Sequence, residues 1–240
     1  MQQLGQTRSA HRQDHLLQTP DTFVRAPLPG MQNATAIVHV GPARGARFTE
    51  YTAEFGEGGK LAPSAAQRFL YVLEGELAVA GRYLRTHDYA YLPAGCDLVV
   101  EAPRESKAAV IEKAYQPLSG GPPPPAFFTG REGLIEPEHL AGDPALEVRR
   151  LLPDDPAFDC AVNTMTFQPG AALPMVEIHV MEHGLLMLAG AGIYRLGDCW
   201  YPVEAGDFIY MAPYCPQWFG AIGKTPAKYL IYKDWDRHPR

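Results

Sequence analysis

One pattern of residues occurs twice in this chain, and two copies of a strand-rich pattern leave few folds open. Phe69-Leu70-Tyr71-Val72-Leu73-Glu74-Gly75-Glu76-Leu77 is matched by Gly184-Leu185-Leu186-Met187-Leu188-Ala189-Gly190-Ala191-Gly192. Further on, Asp88-Tyr89-Ala90-Tyr91-Leu92-Pro93 is matched by Asp207-Phe208-Ile209-Tyr210-Met211-Ala212-Pro213, longer by one residue. Each copy reads as hairpin strands, a glycine turn, and a strand of alternating aromatics that ends at proline. Glycine and proline, 23 of each, punctuate short β-branched or aromatic runs and break any helical period. Strands are predicted at 35–40, 69–72, 77–79, 89–92, 108–112, 185–188, 192–195, 207–211 and 228–232. The chain is therefore all-β, with the cadence of two jelly-roll (double-stranded β-helix) barrels in tandem. Ser119-Gly120-Gly121-Pro122-Pro123-Pro124-Pro125 cannot continue a sheet, because its prolines donate no backbone hydrogen bond. The expected division is an N-terminal barrel at 1–118, a Pro/Gly-rich linker and connection at 119–145, and a C-terminal catalytic barrel at 146–240.

Charge and hydropathy exclude whole classes of partner. Lys and Arg total 21 against 27 Asp and Glu, and the net charge of −6 offers no attraction to nucleic acid or anionic membranes. Apolar runs such as Ala108–Ile111 and Leu185–Ala189 fall far short of the roughly 20 residues that span a bilayer. The start, Met1-Gln2-Gln3-Leu4-Gly5-Gln6 followed by Arg8, His11, Arg12 and Asp14, lacks the apolar core of a secretory signal, so a frayed N-terminus and a cytoplasmic location are expected. Cys96, Cys160, Cys199 and Cys215 form no C-x-x-C pair and are expected to be buried free thiols. His11, His15, His39, His87, His139 and His238 show no partner spacing.

The repeated pattern resembles the two motifs of the cupin superfamily, a histidine-rich strand closing in glycine and a glycine–proline strand that carries one more ligand. The C-terminal copy holds both, from Gly170 through Glu177, His179 and His183 to Gly190, and from Gly206 through Pro213 to Gln217. The usual cupin set is three histidines and a glutamate. Here glutamate leads, histidine closes the first motif, and glutamine replaces the last histidine. The resemblance implies that Glu177, His179, His183 and Gln217 hold one divalent metal ion. Strand alternation puts Glu177 and His179 on one side, with Ile178 and Val180 facing the core behind. On a straight strand His179 and His183 would lie about 13 Å apart, too far to share an ion, so the chain must turn between them. A carboxylate, an amide oxygen and two imidazoles suit Mn(II) or Fe(II) better than a closed zinc site, and leave room on the ion for water or substrate. The same offsets in the N-terminal copy fall on Ala62, Ser64, Arg68 and Asp97, which cannot build the site. That barrel is expected to close the edges of the catalytic one and to extend the interface of a homo-oligomer.

Across most of its length the chain resembles the bicupin ureidoglycine aminohydrolases of purine (allantoin) breakdown. The resemblance rests on Glu177-Ile178-His179-Val180-Met181-Glu182-His183-Gly184, on Gly190-Ala191-Gly192-Ile193-Tyr194, and on Pro213-Tyr214-Cys215-Pro216-Gln217-Trp218-Phe219. It continues through Gly223-Lys224-Thr225 and Tyr229-Leu230-Ile231-Tyr232-Lys233-Asp234. It implies a manganese-dependent hydrolysis of (S)-ureidoglycine to (S)-ureidoglycolate and ammonia, with Tyr194, Tyr229 and Lys233 contacting the small-molecule substrate. Two other functions use the same frame: an Fe(II)-dependent cupin dioxygenase, which would consume oxygen, and a non-enzymatic bicupin that binds a small molecule, which would show no turnover.

Overall fold

A computed structural model describes residues 6–234, and these form antiparallel strands and short 3-10 turns with no α-helix among the described residues. All the predicted strands fall on observed ones, Asp207 excepted, which lies just outside Phe208–Met211. The chain packs as two compact units, one of residues 24–136 with 153–159, the other of residues 6–23, 137–152 and 160–234. This is not the expected division at 1–118, 119–145 and 146–240.

Backbone hydrogen bonding explains the difference. His15–Gln18 pairs with Phe208–Met211, so the N-terminal segment is an edge of the later unit's sheet and not a frayed start. Residues 114–127, which contain the proline run, form no strand, but Phe128–Arg131 then pairs with Asp88–Leu92 and remains part of the earlier unit. Residues 153–159 return to that unit through Asp159, which accepts from Lys113 Nζ at 2.9 Å and from Gln67 Nε2 at 2.6 Å.

In the earlier unit the long strand Phe48–Leu61 pairs with Met31–Val40 on one side and Ser106–Lys113 on the other. Its alternate residues Tyr51, Ala53 and Phe55 join Leu70, Val72 and Val110 in the core. In the later unit the larger sheet runs, strand beside strand, through His15–Gln18, Phe208–Met211, His183–Ala189, Ala227–Lys233, Ala161–Phe167 and Leu146–Arg150. A second sheet of Cys199–Glu204, Ala191–Leu196 and Gln217–Ile222 completes that unit, and Tyr194, Phe219 and Ala221 from it meet Leu185, Met187, Tyr229 and Ile231 from the larger sheet in one core.

The repeat seen in the sequence is structural. Gly75 and Gly190 both turn the chain at positive φ, +82° and +70°, and a Cβ there would stand 2.5 Å from the Glu105 carbonyl oxygen and 2.4 Å from that of Pro226. Asp88 and Asp207 each accept a backbone N–H from three residues earlier at 2.9 Å, from Arg85 and Glu204. Each also accepts an arginine at 2.9 Å, Arg131 on Asp88 and Arg8 on Asp207.

Candidate metal centre

Strand register fixes which side chains share the interior of the later unit. His183, Leu185 and Met187 pair with Lys233, Ile231 and Tyr229, and on its other side His183 pairs with Met211. Leu185, Met187, Met211, Tyr229 and Ile231 all lie in the core, so period-two alternation turns His183 and Lys233 the same way, inward. Both stand at strand ends, His183 opening His183–Ala189 and Lys233 closing Ala227–Lys233.

Glu177 and Gln217 arrive from the opposite side as an isolated antiparallel bridge, with N–H···O bonds of 2.8 and 2.9 Å exchanged in both directions. The strand expected through Glu177 and His179 does not extend beyond this bridge. Ile178 and Val180 are 60% and 48% exposed and do not face the core. Among the described residues the segment's backbone hydrogen bonds are those at Glu177 and at the His179 carbonyl, which accepts from Tyr214 N–H at 2.7 Å, too few to hold it to a sheet's alternation. The chain bends at Val180 and Met181, which supplies the turn that the His179–His183 spacing demands. The two imidazole rings then lie 5.1 Å apart between centroids, and His179 Nε2 stands 3.1 Å from Glu177 Oε2. Gln217 Oε1 accepts from the Tyr194 hydroxyl at 3.4 Å. Tyr229 lies deeper among the core aromatics, 5.6 Å from Phe219 between ring centroids, and donates to Met165 Sδ at 3.3 Å.

His183 is buried, and neither ring nitrogen makes a hydrogen bond of good geometry among the described residues. Burial, with smaller contributions from the Lys233 ammonium and His179, lowers its pKa well below the ordinary value and keeps the imidazole neutral. The carbonyls of Glu182 and Tyr232 pull weakly the other way. Burial also raises the phenol pKa values of Tyr194 and Tyr229, and the Glu177 charge raises both further, so this carboxylate lies within electrostatic reach of both rings. Both tyrosines are therefore hydrogen-bond donors at neutral pH. A buried neutral imidazole whose one lone pair meets no donor of good geometry among the described residues, beside a second imidazole and a carboxylate, is a donor set that fits a divalent cation of intermediate hardness.

The cupin domain family matches residues 163–232. The probable (S)-ureidoglycine aminohydrolase of Oryza sativa subsp. japonica is 40% identical over 98% of this chain and 77% of its own. The (S)-ureidoglycine aminohydrolase of Arabidopsis thaliana is 39% identical over 98% of this chain and 80% of its own. The chain belongs to the (S)-ureidoglycine aminohydrolase family. A crystal structure of a putative glyoxylate-induced protein from Pseudomonas aeruginosa superposes on this family member with a TM-score of 0.87 at 32% identity, covering 99% of this chain and 94% of that one. The fold is thus a bicupin, two jelly-roll barrels in one chain.

Within this aminohydrolase-family chain, the earlier unit shows what fills the corresponding place without histidines. Arg68 sits where the repeat puts His183, and its register partner is Glu112 where His183 has Lys233. Buried Arg68 closes on Glu112 at 2.6 Å and also donates to the Ala62 carbonyl at 3.0 Å. Sequence reading passed over Met165 and Met211, whose thioethers accept from Tyr229 and Tyr194 at 3.3 and 3.7 Å. Counting by twos along Ala161–Phe167 and Phe208–Met211 would have placed both inward.

Proposed function

We propose that the chain catalyses hydrolysis of (S)-ureidoglycine to (S)-ureidoglycolate and ammonia, with a Mn(II)-type ion held by Glu177, His179, His183 and Gln217. The observation that carries this reading is His183, a buried imidazole with neither nitrogen in a hydrogen bond of good geometry among the described residues, set beside the Glu177–His179 pair and Lys233. In the reaction the C–N bond to the amine breaks, a C–O bond to water's oxygen forms, and the amine leaves as ammonia. A bound divalent ion supplies Lewis acidity and a fixed point of positive charge.

The protein's own groups supply orientation. The Lys233 ammonium, inward beside His183, holds the substrate carboxylate through a charge-assisted hydrogen bond. Tyr194, whose hydroxyl lies between Gln217 Oε1 and Met211 Sδ, donates to the substrate or holds Gln217 in place. Tyr229 donates from below once its bond to Met165 is exchanged for one to substrate. The raised phenol pKa values assign both tyrosines to hydrogen-bond donation rather than to proton abstraction. Support for this substrate comes from the two plant relatives named for it. The test is ammonia release from freshly generated (S)-ureidoglycine by manganese-loaded protein, with an oxygen electrode in the same cell. Ammonia without oxygen uptake is expected; oxygen consumed in proportion to product would place the chain among cupin dioxygenases.

A further inference from the structure

We infer that the later unit carries a second cation site, built from Asp14, His15 and Cys215, that takes a borderline-soft divalent ion such as zinc or cobalt. One ligand atom from each of these residues lies within 4.8 Å of the other two. Bonds of 2.0–2.3 Å at tetrahedral angles set donor atoms about 3.5 Å apart, so closure on an ion needs shifts of the order of an ångström. Asp14 Oδ1 and His15 Nδ1 are already 2.8 Å apart. The site is separate from Glu177, His179, His183 and Gln217 and shares no ligand with them.

The surroundings suit coordination. His15 is 2% exposed and its other nitrogen, Nε2, meets the Tyr201 hydroxyl at 2.8 Å. That hydroxyl can accept as readily as donate, so Nε2 can carry the proton and donate it to an outer oxygen, as the second nitrogen of a metal-bound histidine does, while Nδ1 turns its lone pair to an ion. Gly197 lies against the cluster, and a Cβ there would stand 2.8 Å from Asp14 Oδ2, so the absent side chain leaves the carboxylate room to move. The Asp14 side chain is 44% exposed, which gives an ion a route in and water a place as the remaining ligand. In the empty site Cys215 is a thiol that donates to the Pro216 carbonyl at 3.6 Å. Binding replaces that proton, which leaves to solvent, and the carboxylate and thiolate together balance the ion's two charges.

The location gives the site a consequence. Asp14 already accepts from Ala212 N–H at 2.9 Å, and Cys215 lies on the same loop two residues before Gln217. An ion there clamps the N-terminal strand to the loop that presents Gln217. Thiolate coordination also separates the two sites by spectroscopy, since the other centre has no sulfur donor.

The experiment is titration of cobalt(II) into the full-length protein. A near-ultraviolet thiolate-to-cobalt charge-transfer band with tetrahedral visible bands is expected, saturating at one equivalent that Cys215→Ser removes while oxygen- and nitrogen-bound cobalt remains. His15→Gln, which keeps the thiol, should weaken the band-forming affinity by roughly tenfold or more. Absence of the band from the parent protein, its survival in Cys215→Ser, or unchanged affinity in His15→Gln would each overturn the assignment. If Cys215→Ser does not fold, the His15→Gln arm decides. Loss of ureidoglycine turnover without loss of the band would count against the catalytic reading alone.

Discussion

Lys233→Ala separates substrate binding from metal binding at the catalytic centre. The lysine is inward and pairs in register with His183, so its ammonium acts on the same interior, yet it has no lone pair to give a cation. The variant should retain its manganese. Burial is the largest cause of the depressed His183 pKa and survives the substitution, so the imidazole stays neutral, while one positive charge beside the cation is removed. Activity should fall for a different reason. A charge-assisted hydrogen bond contributes about 1.5–3 kcal/mol, which at about 1.4 kcal/mol per decade is a loss of one to two orders of magnitude in kcat/KM. Lys233→Arg should recover only part of it, because a planar fork cannot occupy the point that an ammonium fills. The assay is ammonia release over a range of (S)-ureidoglycine concentrations, with manganese counted by mass spectrometry on the same sample. Normal turnover in Lys233→Ala, or loss of its metal, would refute the reasoning.

Gln217→Ala should weaken manganese affinity first and activity as a result, so excess manganese should restore part of the turnover; full metal occupancy with dead turnover would remove Gln217 from the ligand set. In the earlier unit Glu50 is buried with neither carboxylate oxygen hydrogen-bonded among the described residues, and burial pushes its pKa up to about 8 from 4.5. The raised value favours the protonated form in the fold, so its stability is present below pH 4.5 and lost as pH rises to 8, whereas His39, pushed down to about 3, contributes above 6.5. Between pH 6.5 and 8 only Glu50 of this pair still titrates, which predicts a loss of about 2 kcal/mol in denaturant unfolding that Glu50→Gln abolishes.

Local features were legible in the sequence and long-range ones were not. Gly75, Gly190, Asp88 and Asp207 mark turns whose geometry lies within a few residues, so comparing the two copies located them. The turn between His179 and His183 followed from distance alone. Ile178 and Val180 were misplaced because alternation assumes hydrogen-bonded neighbours along the segment, and only Glu177 has a strand partner there. His15 had no spacing partner because its neighbours Tyr201 and Cys215 are brought to it by the pairing of His15–Gln18 with Phe208–Met211. The mixed unit boundaries have the same origin in strand exchange across sequence distance.

The contrast between the two barrels bears on the metal and substrate site proposed for one of them. Each places a polar pair at the same register position on adjacent strands, Arg68 with Glu112 in one and His183 with Lys233 in the other. A guanidinium and a carboxylate satisfy each other, and Arg68 directs a remaining donor to Ala62, so that interior is electrically closed. An imidazole and an ammonium cannot do this. Held neutral by burial and by the neighbouring positive charge, His183 offers one lone pair that a proton donor or a cation can take, and Lys233 offers protons that a carboxylate binds most strongly. The second demand is met by a carboxylate, on the protein or on a substrate, and the first by a metal ion that such a carboxylate also stabilises. Under the proposed reaction a carboxylate-bearing substrate meets an ammonium in the His183–Lys233 barrel, whereas the same substrate offered to the Arg68–Glu112 barrel would have to displace an ion pair already made.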